Sequence, residues 1–242
     1  SASITPNIPP ATFAMPKNIT LVHANVFQDT EPQGSFISKL FHSPKIPWPT
    51  GTLCIAGALE KAGFKVEVRD YQLRKSSNPY SVNTLTEFIG HNSADLIYIS
   101  CTSSFLPYVV LACEKLKILF PYKLTVLGGI GPSGVAEELL KTFPFLDIIC
   151  VGEGETTAVE LAQAIKKNIP LEKVKGIAFR NSKNKVKLTP PRERLKDLDI
   201  IPRPAYHLVD LKLYNNGGIS IARGCPYGCV FCNLVGMWEQ KV

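Results

Sequence analysis

Cys225, Cys229 and Cys232 stand within eight residues, spelled C-P-Y-G-C-V-F-C, with three residues in the first gap and two in the second. Iron–sulfur clusters are held by cysteine thiolates, and a four-iron cluster ordinarily takes four of them. Three thiolates from one loop would leave one iron open to an outside ligand. Gly224, Pro226 and Gly228 supply turn geometry suited to wrapping such a cluster, geometry that a helix or strand refuses. Zinc also binds closely spaced cysteines, but usually four ligands in two pairs, at spacings unlike these. A disulfide framework is disfavoured because Cys54, Cys101, Cys113 and Cys150 lie inside the apolar runs TLCIAGAL, LIYISC, VVLACEKL and LDIICVG. A free thiol in such a run behaves as a small buried hydrophobe. Seven thiols with no evident pairing predict a reducing, cytoplasmic setting.

The elements that must position these residues follow from the apolar periodicity. Strand-length runs occur at 19–26, 65–70, 95–100, 123–129 and 146–152. Helical periods lie between them: Thr52 to Ala62 places Leu53, Ala56, Leu59 and Ala62 on one face, and Pro107 to Phe120 does the same with Val110, Cys113, Leu116, Leu119 and Phe120. Alternation of this kind predicts an α/β domain over residues 19–168 with a five-stranded parallel, Rossmann-like (flavodoxin-like) sheet. Such sheets bind ligands at the carboxyl ends of their strands. Residues 169–205 read as a β-hairpin, VKGIAFRN and KVKL around Ser182-Lys183-Asn184, followed by an extended linker rich in proline. In the last segment, 206–242, GGISIAR (217–223) reads as a strand running into the cysteine loop. Residues 1–18, polar and rich in proline, read as a disordered lead-in without the basic-then-apolar order of a signal peptide.

Apolar content of 45% and charged content of 19% describe an ordinary globular chain. No stretch approaches the ~20 apolar residues of a membrane span. The net charge of +7 is scattered apart from the run Lys183 to Lys187. Nucleic-acid binding would want basic residues clustered with aromatics, so none is expected.

Three strands end in small residues: S-C-T-S-S, G-G-I-G-P-S-G and V-G-E-G-E-T-T. Small residues let a large ligand approach the backbone, and free amides at helix starts bind its polar groups. Thr157 with Glu160 reads as a capping box that starts a helix just beyond the last glycine. Gly129, Gly131 and Gly134 also satisfy the dinucleotide pattern G-x-G-x-x-G, with Glu153 at about the expected acid position. That motif belongs in the first βα turn, however, and here it follows the fourth strand.

Taken in order, these segments resemble the cobalamin-dependent radical S-adenosylmethionine (SAM) enzymes. The resemblance is carried by P-T-G-T-L-C-I-A-G-A-L-E-K-A-G-F-K-V-E-V-R-D, the three small-residue loops, the linker I-P-R-P-A-Y, and I-A-R-G-C-P-Y-G-C-V-F-C. It implies a cobalamin-binding domain followed by the first strand of a radical SAM partial TIM barrel. Cys225, Cys229 and Cys232 would ligate a 4Fe-4S cluster, SAM would bind its open iron, and Phe231 would lie against the adenine. Thr102, Ser103, Gly128, Gly129, Gly131, Pro132, Gly152, Glu153 and Gly154 would lie at or near the corrin and its nucleotide tail. The implied reaction is methyl transfer to an unactivated carbon through a 5′-deoxyadenosyl radical and methylcobalamin, with cyclisation or rearrangement in some members. The implied partners are a small-molecule substrate and an electron donor such as flavodoxin or ferredoxin. A non-catalytic cobalamin-binding module, and a nucleotide-binding α/β protein with an unrelated metal knuckle, are the alternatives.

Two departures from the family pattern matter. The chain lacks D-x-H-x-x-G, which supplies a cobalt histidine in many cobalamin proteins. His23, His42, His91 and His207 read as surface or packing residues, so a displaced tail with no protein histidine on cobalt is expected. The chain also stops ten residues after Cys232, short of the barrel that the resemblance implies. It is therefore expected to be a fragment of a longer enzyme and inactive alone.

Overall fold

The computed structural model describes residues 16, 18–26, 46–74, 76–218 and 220–232. The lead-in (apart from Pro16 and Asn18) and His42 lie outside the described residues.

Five strands, β1 (Asn18–His23), β2 (Lys65–Asp70), β3 (Leu96–Ser100), β4 (Leu124–Gly128) and β5 (Ile148–Cys150), form a parallel sheet in the order β2-β1-β3-β4-β5. Their near-continuous Ile, Leu and Val content requires cover on both faces. Helices α1 (Thr50–Lys61) and α6 (Gly154–Lys166) cover one face. Helices α2 (Val82–Gly90), α3 (Leu106–Leu119) and α5 (Ala136–Thr142) cover the other. A one-turn helix, α4 (Ile130–Ser133), follows β4. The strand order is that of flavodoxin-like domains. In-register pairing aligns His23 with Asp70 and Ser100, and Ser100 with Gly128, so the carboxyl ends form one row.

The expected hairpin forms, as β6 (Ile177–Arg180) and β7 (Val186–Leu188), but it does not stand apart as a connector. It continues the same sheet, with β6 antiparallel to β5 and β7 to β6. All four residues of β6 are buried, and an open β5 edge would leave backbone groups unpaired. At the turn, Asn181 Oδ1 accepts from the amides of Lys183 (3.0 Å) and Lys185 (2.9 Å), and Asn184 takes the left-handed conformation.

The linker is tied to α1. The Ala205 amide donates to the Leu53 carbonyl at 3.0 Å, and the Arg203 carbonyl lies where a Cβ on Gly57 would come within 2.2 Å of it. The strand expected over Gly217 to Arg223 is not formed among its described residues. Its apolar alternation is suitable, but a strand needs a neighbour for its amides and carbonyls, and here Ile221 is 91% exposed. No helix among the described residues is long and apolar enough to cross a membrane.

Under α3 lies a buried ion pair, Lys117 Nζ to Asp147 Oδ2 at 2.7 Å, and the same carboxylate oxygen accepts from the Thr125 amide and hydroxyl. Burial raises the Asp147 pKa, against the pull of Lys117 and Thr125.

Candidate functional site

A cavity of about 520 Å³ opens at the carboxyl ends of the strands, within the ordinary size of a small-molecule site. Its floor is apolar: Leu21, Tyr98, Val126 and Ala158, with the Tyr98 hydroxyl already donating to the Ala158 carbonyl at 2.8 Å. One wall is the start of α1, with Thr50, Gly51, Cys54 and Ile55. The row of strand ends, Ser100, Gly128 and Gly129, then Gly152, Glu153, Gly154 and Glu155, also lines the cavity, and the two stretches meet where Ile55 lies against Gly154. The segment entering the cysteine loop contributes Gly218, Ser220, Ala222, Arg223 and Gly224 to the lining.

The glycines divide into two kinds. A Cβ added at Gly51, Gly152 or Gly218 would meet nothing within 4 Å, so their bareness keeps the cavity open. Gly129 and Gly131 are packed instead. Their Cβ atoms would lie 2.9 and 2.8 Å from the Cys101–Thr102 backbone, and Gly129 has φ +91°. The G-x-G-x-x-G match therefore serves a tight turn. It opens the four-residue α4 rather than the long helix that a pyrophosphate site uses.

Of the residues nominated from sequence, Gly128, Gly129, Gly152, Glu153 and Gly154 line the cavity, whereas Thr102, Ser103, Gly131, Pro132 and Phe231 do not. The Thr102 amide and hydroxyl both donate to Asn25 Oδ1, at 2.8 and 3.0 Å, pinning the end of β3 to that of β1. Pro132 is buried and Phe231 is 87% exposed. The capping box is absent: α6 begins at Gly154. The Thr157 hydroxyl donates to the Glu153 carbonyl, and Glu160 is held by Arg192.

Sequence reasoning missed Gly51, Cys54, Glu155 and Arg223. Arg223 contacts Glu153 Oε1 at 3.4 Å and Glu155 Oε1 at 2.5 Å. Glu153 Oε2 also accepts from the Leu195 amide at 2.8 Å, and Arg194 donates to the Arg223 carbonyl. The signal available was a basic residue immediately before the cysteine loop, opposite two acids in V-G-E-G-E. No local spacing connects them.

The cysteine loop itself is accessible. Cys229 is exposed and Cys225 and Cys232 are half-buried, all three free, with a turn from the Cys232 amide to the Cys229 carbonyl at 3.0 Å. No three His, Cys, Asp or Glu side chains among the described residues converge to hold a metal. The donor set nevertheless fits an iron–sulfur cluster: three unpaired thiols on a turn-rich loop, with Gly224 at φ +115°. The remaining thiols do not fit. Burial pushes Cys101 and Cys150 up to about 12, and a metal takes the thiolate.

His23 sits at the end of β1, near Thr52 Oγ1 (3.3 Å) and Asn25 Nδ2 (3.1 Å), and does not line the cavity. Burial lowers its pKa from 6.5, against the opposing field of Asp70. A histidine with a lowered folded-state pKa contributes stability above its unfolded value that is lost as pH falls through the folded one. The urea midpoint is therefore expected to drop between about pH 7.5 and about pH 5.5, and His23→Gln to flatten that slope. Equal slopes in both proteins would contradict this.

Residues 42–162 match the family described as the B12 binding domain, and that span is half of the chain. The chain belongs to that family. The chain is 33% identical over 200 residues to the anaerobic magnesium-protoporphyrin IX monomethyl ester cyclase of Synechocystis sp., covering 79% of this chain and 39% of the cyclase. A structure of the radical S-adenosylmethionine methyltransferase TsrM from Kitasatospora setae, with cobalamin and a 4Fe-4S cluster bound, matches with a TM-score of 0.65. The identity is 21%, over 94% of this chain and 44% of that one. The cobalamin-dependent S-adenosylmethionine radical enzyme OxsB with aqua-cobalamin bound matches with a TM-score of 0.63 at 22% identity, over 89% and 28% of the two chains. At these identities the two structures speak to the fold. The B12 binding domain chain spans 31–39% of the length of the first curated relatives it matches.

Proposed function

We propose that this chain carries cobalamin at the strand-tip cavity and leads into the cluster-bearing part of a radical SAM enzyme. The observation that carries the reading is that the glycine-rimmed cavity and the segment entering Cys225 meet at one rim. Cobalamin would supply a cobalt centre able to carry a methyl group, and SAM on a 4Fe-4S cluster a carbon radical. The chain's own residues supply enclosure. The apolar floor of Leu21, Tyr98 and Val126 suits a flat heterocycle such as the nucleotide tail, and bare Gly51 and Gly152 leave the mouth free for a macrocycle too large for 520 Å³. Cys225, Cys229 and Cys232 would hold the cluster and Phe231 the adenine.

Methyl transfer to an unactivated carbon of a small molecule is the proposed reaction, with an external electron donor. Cyclisation or rearrangement is the second reading, and the 33% identity to a cyclase across 79% of this chain favours cyclisation. The test is an absorbance titration with hydroxocobalamin, followed by anaerobic reconstitution with iron and sulfide. Uptake of both is expected. A chain that binds corrin without iron would support the non-catalytic module, and one that binds iron without corrin would support the metal-knuckle protein. Either result would overturn the proposal.

A further inference from the structure

We infer that Arg223 is a positioning residue: its ion pairs with Glu153 and Glu155 seat the cysteine loop on the rim of the cobalamin cavity. The inference rests on the reading of cavity and loop proposed above. Arg223 lies 68 to 70 residues from its partners in the chain, so the contact is made by the fold and not by local sequence. Exposed ion pairs contribute little, but here the side chains are 15%, 8% and 8% exposed. Removing the cation would strand two buried carboxylates, which is strongly unfavourable. The acids are themselves fixed. Glu153 accepts from the Leu195 amide, and Glu155 lies in the first turn of α6, where the helix dipole favours negative charge. The forked guanidinium can engage both carboxylates at once.

Cys225 follows only two residues later, so its Cα can lie no more than about 7 Å from that of Arg223. A fixed Arg223 thus fixes where the first thiol stands relative to the cavity mouth. The 217–223 segment has no sheet neighbours among the described residues; Gly217 packs on the Trp48 ring at its start, and the Arg223 ion pairs with the Arg194 bond to the Arg223 carbonyl hold its end.

The first test needs no cofactor. Trypsin can cut Arg223–Gly224 only when the guanidinium leaves its acids, whereas Lys212 is exposed and serves as an internal reference. In Glu155→Gln, cutting after Arg223 is expected to quicken about tenfold relative to cutting after Lys212; an unchanged ratio would overturn the clamp. The second test reads geometry in the loaded protein. A reduced, paramagnetic cluster near cob(II)alamin speeds the cobalt electron-spin relaxation, and Arg223→Met molecules that carry both groups are expected to lose that enhancement. Arg223→Lys, which keeps a cation between the two acids, is expected to retain part of it. Full enhancement in Arg223→Met would overturn the inference and leave the proposed function standing. Failure of the wild type to take up corrin or iron would overturn both.

Discussion

In Cys229→Ala, iron and sulfide taken up on anaerobic reconstitution are expected to fall to background, while the thermal midpoint of the α/β domain stays unchanged. Cys229 is exposed and belongs to neither core cluster, so its removal costs no packing. A cluster left with two thiolates on the loop has too few protein ligands to persist. Cys54→Ala is the matched control. That thiol is buried, and burial together with the field of Glu155 raises its pKa, so a thiolate ligand is disfavoured there. Iron content should therefore survive its loss. Retention of iron in Cys229→Ala, or its disappearance in Cys54→Ala, would overturn the assignment of the loop.

Gly51→Trp is expected to weaken hydroxocobalamin binding by at least about 100-fold without lowering stability. Gly51 lines the cavity from the first turn of α1, where a Cβ meets nothing within 4 Å. Glycine is also a poor helix former, so the substitution introduces no backbone strain and places an indole in the mouth. The corresponding change at Gly129 would be uninformative. With φ +91° and the Cys101 carbonyl 2.9 Å from a new Cβ, it would disturb the turn whether or not a ligand binds there. Equal affinities in wild type and Gly51→Trp, measured by calorimetry, would remove cobalamin from this cavity.

The strands were legible because burial on both faces leaves an unambiguous apolar run. KVEVRD was placed at Lys65–Asp70 and forms there. The run at 146–152 shortened to Ile148–Cys150 because Asp147 is drawn to Lys117 and Thr125 and Gly152 has already turned the chain. The capping box failed for a different reason. α6 starts three residues before Thr157, whose hydroxyl donates back to the Glu153 carbonyl, and Glu160 pairs with Arg192, 32 residues away, a long-range partner that leaves no mark on local spacing. The same blindness hid Arg223 and Glu155. In the site, the glycine loops were visible as composition, but which glycines open space and which merely pack could be told only from their neighbours.

The hairpin that completes the sheet has a consequence for behaviour at high concentration. One outer strand, β7, is three residues long and joined to β6 through Lys183 and Lys185, with Lys187 on the strand itself. The other, β2, alternates Lys65, Glu67 and Arg69, and Arg69 reaches over to the carbonyls of Phe88, His91 and Asn92. A short border on one side and a charged one on the other offer poor templates for a foreign strand. The domain should therefore stay monodisperse in low salt, and self-association should first appear when screening weakens the repulsion between these borders.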